Sequence, residues 1–164
     1  MEATFERHWA LPLRIILGIS FMIHGAPKLF DAQAHQQFQG FLGQLGVPGA
    51  PVMSWLLGLL EFGGGIALVL GVFTWITAAL LTIEMFFAFL LVHRPAGFQV
   101  VHITGMSDRG PIFGMPGYEL NLLYIAGLLA LFIGGPGPLS VDERAARGES
   151  ALRAPWVRHR HVHA

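Results

Sequence analysis

Three glutamates, Glu61, Glu84 and Glu119, stand inside apolar stretches long enough to cross a bilayer, and Arg14, His24 and Lys28 stand inside another. A carboxylate in hydrocarbon costs on the order of a few kcal/mol, so such groups persist when paired, protonated or lining a polar cavity. The chemistry this set can perform is proton exchange, which His and Glu carry out without a bound metal. His24, Glu61 and Glu119 are the candidates for that role. Lys28, Glu84, Asn121 and His93 are the candidate ligand-binding residues around them. Depth along the spans pairs Arg14 with Glu84, Lys28 with Glu119 and Glu61 with His24. Two fixed cations against three acids leave one acid to be balanced by a proton or by a charged His24.

The set needs helices to hold it. Apolar runs over about 9–30, 52–73, 75–92 and 118–134 read as four membrane-spanning helices, since a crossing takes about 20 residues. The fold class is therefore all-α: a four-helix transmembrane bundle over 1–139. Residues 140–164 follow as a charged, mobile, cytoplasmic tail that contains His159, His161 and His163. On the first span His24 and Lys28 are four apart and share a face, with Pro27 in the last turn loosening the helix. Lys28 is close enough to the end to snorkel outward. On the second span Ser54, Gly58, Glu61 and Gly65 form one stripe, and Gly63, Ala67 and Gly71 a second, which lets neighbours approach on two sides. Thr77, Leu81, Glu84 and Ala88 line up on the third span in the same way. In the first loop Phe38, Phe41, Leu42 and Leu45 recur at helical spacing, which predicts an interfacial amphipathic helix. The loop over 93–117, rich in Pro and Gly, reads as irregular and folded over the bundle.

Composition agrees with this class. The chain has 164 residues, of which 54% are hydrophobic and 12% charged, against roughly 25% charged in soluble domains. Its net charge is zero, so no nucleic-acid partner is implied, and no phosphate-binding Gly loop is present. With no cysteine, a disulfide scaffold, thiolate metal site or dithiol relay within the chain is excluded. No helix carries a ligand pair at metal-site spacing, so no metal is expected. The apolar run after Trp9 outlasts a signal-peptide core and reads as a retained span. Arg7, Arg144, Arg147, Arg153, Arg158 and Arg160 lie on one side and Arg94 and Arg109 on the other, which puts both termini in the cytoplasm.

At these residues the chain resembles the DoxX family of small bacterial inner-membrane proteins. The matching pieces are His24-Gly25 with Lys28-Leu29-Phe30, then Glu61-Phe62-Gly63-Gly64-Gly65 leading to Leu70-Gly71. Gly117-Tyr118-Glu119-Leu120-Asn121 and Gly135-Pro136-Gly137-Pro138-Leu139-Ser140 follow. The resemblance spans about residues 14–142 and supports His24, Lys28, Glu61 and Glu119 as family positions, with Glu84 and His93 beside them. It implies a link to thiosulfate oxidation coupled to quinone reduction, and membership of membrane oxidoreductase complexes for some relatives. The first functional reading is thus a membrane subunit of a quinone-linked oxidoreductase system. No cofactor is bound by motif, quinone is the cofactor implied, and lipid and an electron-supplying oxidoreductase are the partners. Phe21, Trp55, Phe62 and Phe86 would wall the quinone slot. The alternative is a non-catalytic membrane protein that binds or transports a small molecule or ion.

Overall fold

The computed structural model describes residues 8–101 and 103–153. His102 and the tail histidines His159, His161 and His163 lie outside the described residues, as do Arg7, Arg158 and Arg160. The chain is mostly helical: α1 (Ala10–Phe30), α2 (Ala32–Gln44), α3 (Ala50–Leu70), α4 (Thr74–Ala88), α5 (Glu119–Gly134) and α6 (Val141–Arg153). Two of these, α1 and α3, are 21 residues long and apolar enough to cross a membrane. So is α4, once extended by a π turn over Phe89–His93 and a 3-10 turn over Arg94–Ala96 to 23 residues. The apolar α5 has 16 residues, short of the usual 17 to 25 for a crossing.

Glycine sets the closest contact. A Cβ on Gly18 would lie 2.6 Å from the Gly65 carbonyl oxygen, and one on Gly25 would lie 2.5 Å from the Phe62 nitrogen and 3.0 Å from the Gly58 oxygen. Only hydrogen on these residues lets α1 and α3 touch backbone to backbone. On the other side of α3, Gly64 meets Thr77 and Leu81 of α4. Of the second expected stripe, Gly63 has nothing within 4 Å of a Cβ, whereas Gly71 meets Ser140 and Arg14. The core between the helices is Leu17, Phe21, Leu68, Ala78, Leu81, Leu128 and Leu131. Outward faces carry exposed isoleucines, Ile16, Ile23 and Ile133 among them, as lipid-facing surfaces do.

α2 begins without a spacer. Asp31 ends α1, and its side chain accepts from the amides of Gln33 and Ala34 at 2.9 and 3.0 Å, an N-cap that restarts the helix in a new direction. Helix α2 packs on α1 and α3 with His35 and Leu42 buried.

Two expectations are corrected. The loop over 93–117 is not wholly irregular: β1 (Ile103–Ser107) and β2 (Gly110–Phe113) form an antiparallel hairpin. The segment after residue 139, expected as a mobile tail, begins with α6 and is tied to the bundle. Asp142 donates its amide to the Gly71 oxygen at 3.0 Å. Its carboxylate accepts from the amides of Phe73 and Thr74 at 2.9 and 2.8 Å. It thus caps the start of α4 from a distant part of the chain, where Phe73 holds the left-handed conformation (φ 47°) that a bulky residue rarely adopts.

Candidate functional site: a buried Lys–Glu–Glu centre

Lys28 and Glu61 form a bidentate ion pair, Nζ donating to both carboxylate oxygens. The expected pairings by depth do not form, and side-chain direction explains the one that does. Side chains on a helix tilt toward its own N-terminus. Because α1 and α3 are antiparallel, Lys28 tilts one way along the bundle and Glu61 the other, and the two meet. The backbone of Lys28 stands level with Gly58: a Cβ on that glycine would lie 3.1 Å from Lys28 Cβ. The lysine therefore reaches inward by about one turn, 5.4 Å, rather than snorkelling outward.

Glu84 of α4 completes the centre. Its carboxyl faces that of Glu61, with Lys28 also in electrostatic range, and its Oε2 is buried without a hydrogen-bond partner. Glu61 is 5% and Glu84 9% exposed, so neither charge is relieved by solvent. The Phe38 ring of α2 covers the Lys28 ammonium at 4.3 Å, a cation–π contact.

A histidine that spacing did not single out holds that cover in place. His35 Nδ1–H donates to the Lys28 carbonyl at 2.7 Å, and Nε2 lies 3.2 Å from Ser54 Oγ on α3. The imidazole stacks on Trp55 at 4.2 Å between centroids. His35 thus joins the end of α1, the loop helix and the start of α3. The available signal was position: His35 is seven residues beyond Lys28, two turns if the helix ran on, but the Asp31 cap breaks that periodicity.

The other candidates stand apart from the centre. His24 is exposed, because the buried face of α1 runs through Phe21 and Gly25 and residue 24 is turned about 100° from Gly25. Glu119 is half-buried in the first turn of α5, a position that suits an acid, and accepts from the Val100 amide at 3.4 Å. His93 donates Nδ1–H to the Pro116 carbonyl at 2.8 Å and staples the loop ends. Asn121 is buried, its amide 4.0 Å from the Met85 sulfur. Arg14, expected opposite Glu84, donates instead to carbonyls of Leu68, Val69, Pro136 and Leu139 at 2.8 to 3.3 Å. The four aromatics do not wall one slot. Phe21 is buried against Tyr124, Trp55 covers His35, Phe62 packs on Phe30, and Phe86 points outward beside Phe87.

Comparison with known proteins follows the same helices. The chain is 29% identical over 135 residues to an uncharacterized protein of Haemophilus influenzae, covering 80% of this chain and 87% of that one. It is 28% identical over 147 residues to an uncharacterized membrane protein of Mycobacterium tuberculosis (87% and 84%). Identity to the inner membrane protein YqjF of Escherichia coli is 32% over 132 residues (80% and 88%). No solved structure matches significantly. The DoxX family model matches residues 9–94, which contain all three members of the centre; this chain is a membrane protein of the DoxX family.

Proposed function

We propose that this chain is a membrane subunit of a quinone-linked oxidoreductase system, and that its Lys28–Glu61–Glu84 centre holds and exchanges a proton. One observation carries the reading. A single ammonium serves two buried carboxyl groups on neighbouring helices, and one oxygen of the second has no donor. Two like charges sharing one counter-charge away from water leave an excess negative charge, which a proton on the pair removes. That proton passes between the carboxyl groups and an acceptor without a helix moving. Quinone reduction takes two electrons and two protons. The chain carries no cysteine and no cofactor motif, so a partner protein supplies the electrons while the centre supplies protons. His24 and Glu119, outside the centre, are left out of this role.

The setting we propose is a bacterial inner membrane, with both termini cytoplasmic by the arginine count. In it α5 completes a four-helix transmembrane bundle where the bilayer thins to its length, and α2 lies along the interface.

A second reading, a non-catalytic protein that binds or moves a small ion, is favoured by one feature. The ammonium lies under Phe38 and the latched α2, which suits arrival from the aqueous loop side rather than from acyl chains. Two measurements separate the readings. Organic extraction of protein purified from native membranes is expected to yield stoichiometric quinone. Infrared spectra are expected to show a protonated-carboxyl C=O band that Glu84→Gln removes. A missing band in the native protein eliminates the held proton. Absent quinone, with unchanged respiration in Glu61→Gln cells, eliminates the redox role and leaves the ion.

A further inference from the structure

The hairpin between α4 and α5 sorts its side chains in a way that alternation alone would not. Ile103 pairs with Phe113, Gly105 with Ile112, Met106 with Pro111 and Ser107 with Gly110. The register shifts between Ile103 and Gly105, a bulge that takes up one residue, Thr104. In a regular strand Ile103 and Met106, three apart, would point to opposite faces. With the bulge both stand on the face of Pro111 and Phe113. The opposite face holds Gly105, Ser107, Gly110 and Ile112. The paired residues of one face are therefore all apolar, and they are bare: Ile103 is 61%, Met106 74% and Phe113 61% exposed.

The base of the ribbon is fixed. Gly97, Phe98 and Gln99 give their carbonyls to the amides of Tyr118, Glu119 and Gly117 at 2.9 to 3.0 Å. The hairpin thus leaves the bundle where the long apolar α4 ends and α5 begins. Aromatic contacts run from the lipid-facing side of α4 to this base: Phe86 to Phe89 (6.2 Å), Phe89 to Tyr118 (5.1 Å) and Tyr118 to Phe98 (5.5 Å). Aromatic rings at the end of a span mark the headgroup level. The base of the hairpin stands at the level of Tyr118 and Phe98.

We propose that this hairpin lies on the bilayer, its Ile103–Met106–Pro111–Phe113 face in the acyl–headgroup boundary and its Gly105–Ile112 face toward water. Lipid fits better than a protein. Four side chains offer far less than the about 800 Å² per partner of a stable protein interface, and none can direct a specific hydrogen bond. The depth is limited by the ribbon itself: both outer edges carry unpaired backbone amides and carbonyls, which hydrocarbon does not tolerate but the hydrated interface does. The hairpin is a second anchor beside the spans, independent of the chemistry at Lys28.

The absence of cysteine makes the test direct. The full chain carrying Met106→Cys or Phe113→Cys, and Ile112→Cys on the opposite face, is spin-labelled and placed in phosphatidylcholine/phosphatidylglycerol vesicles. Collision rates with dissolved oxygen and with a water-soluble nickel chelate are measured. We expect the oxygen-to-nickel ratio at 106 and 113 to exceed that at 112 severalfold. Ile103→Cys replaces either variant if it fails to fold. Equal, high nickel collision on both faces overturns the proposal, because the hairpin then stands free in water. Low collision with both reagents at 106 and 113 overturns it as well, because a protein then covers the face.

Discussion

Two carboxyl groups buried beside one ammonium have little solvent to fall back on when that cation is removed. Lys28→Ala leaves Glu61 and Glu84 facing each other unneutralised, and we expect a loss of about 3–5 kcal/mol in chemical unfolding in detergent. Adding Glu61→Gln to that variant removes one of the stranded acids and should restore most of the loss. If the double variant is no more stable than the single one, the centre is not the source of the effect. Much at this scale was legible. The stripe of Ser54, Gly58, Glu61 and Gly65 is buried throughout, as are Thr77, Leu81 and Glu84, because helical spacing with small residues identifies a protein-facing side. The partners were not legible. Depth along a span says nothing of rotation about it, so His24, one residue from the buried Gly25, points away while Lys28 arrives from a turn farther out.

At the scale of elements, the glycine seam of α1 and α3 brings the lysine within reach. A methyl group at Gly25 would meet backbone atoms, Phe62 nitrogen and Gly58 oxygen, neither of which can rotate aside. Gly25→Ala should therefore separate the helices and cost about 1–3 kcal/mol, whereas Gly40→Ala, inside α2 with nothing within 4 Å, should stabilise slightly by helix propensity in the same thermal melts. The α2 cover depends on His35, so His35→Ala should speed amide hydrogen exchange across 34–44 by at least several-fold while leaving α5 unchanged. Asp142 supplies the cap that α4 lacks locally, and Asp142→Ala should cost about 1–2 kcal/mol by the same melts. The apolar runs located α1 and α5 closely. They missed this cap because Asp142 and its Phe73 partner are 69 positions apart. They missed the hairpin because its glycines and bulge break strict alternation.

For the molecule as a whole, exposed apolar side chains on every long helix and a charged centre inside describe a protein turned toward lipid. Composition alone reveals that class, since so few charges leave little to solvate an ordinary surface. What composition could not reveal is how α1 is closed on the segment that follows α5. Arg14 is 1% exposed and holds the final carbonyls of α3 together with those of Pro136 and Leu139. Its Nε and one Nη2 bond go to Leu68 and Val69, but Nη1 is filled only by residues made 122 and 125 positions later. During synthesis, then, the first helix waits with part of its guanidinium unsatisfied until α5 has been threaded. Released, membrane-inserted chains truncated before residue 136 should be far more open to protease than those truncated after 142, so that insertion ends with a clasp that is shut last.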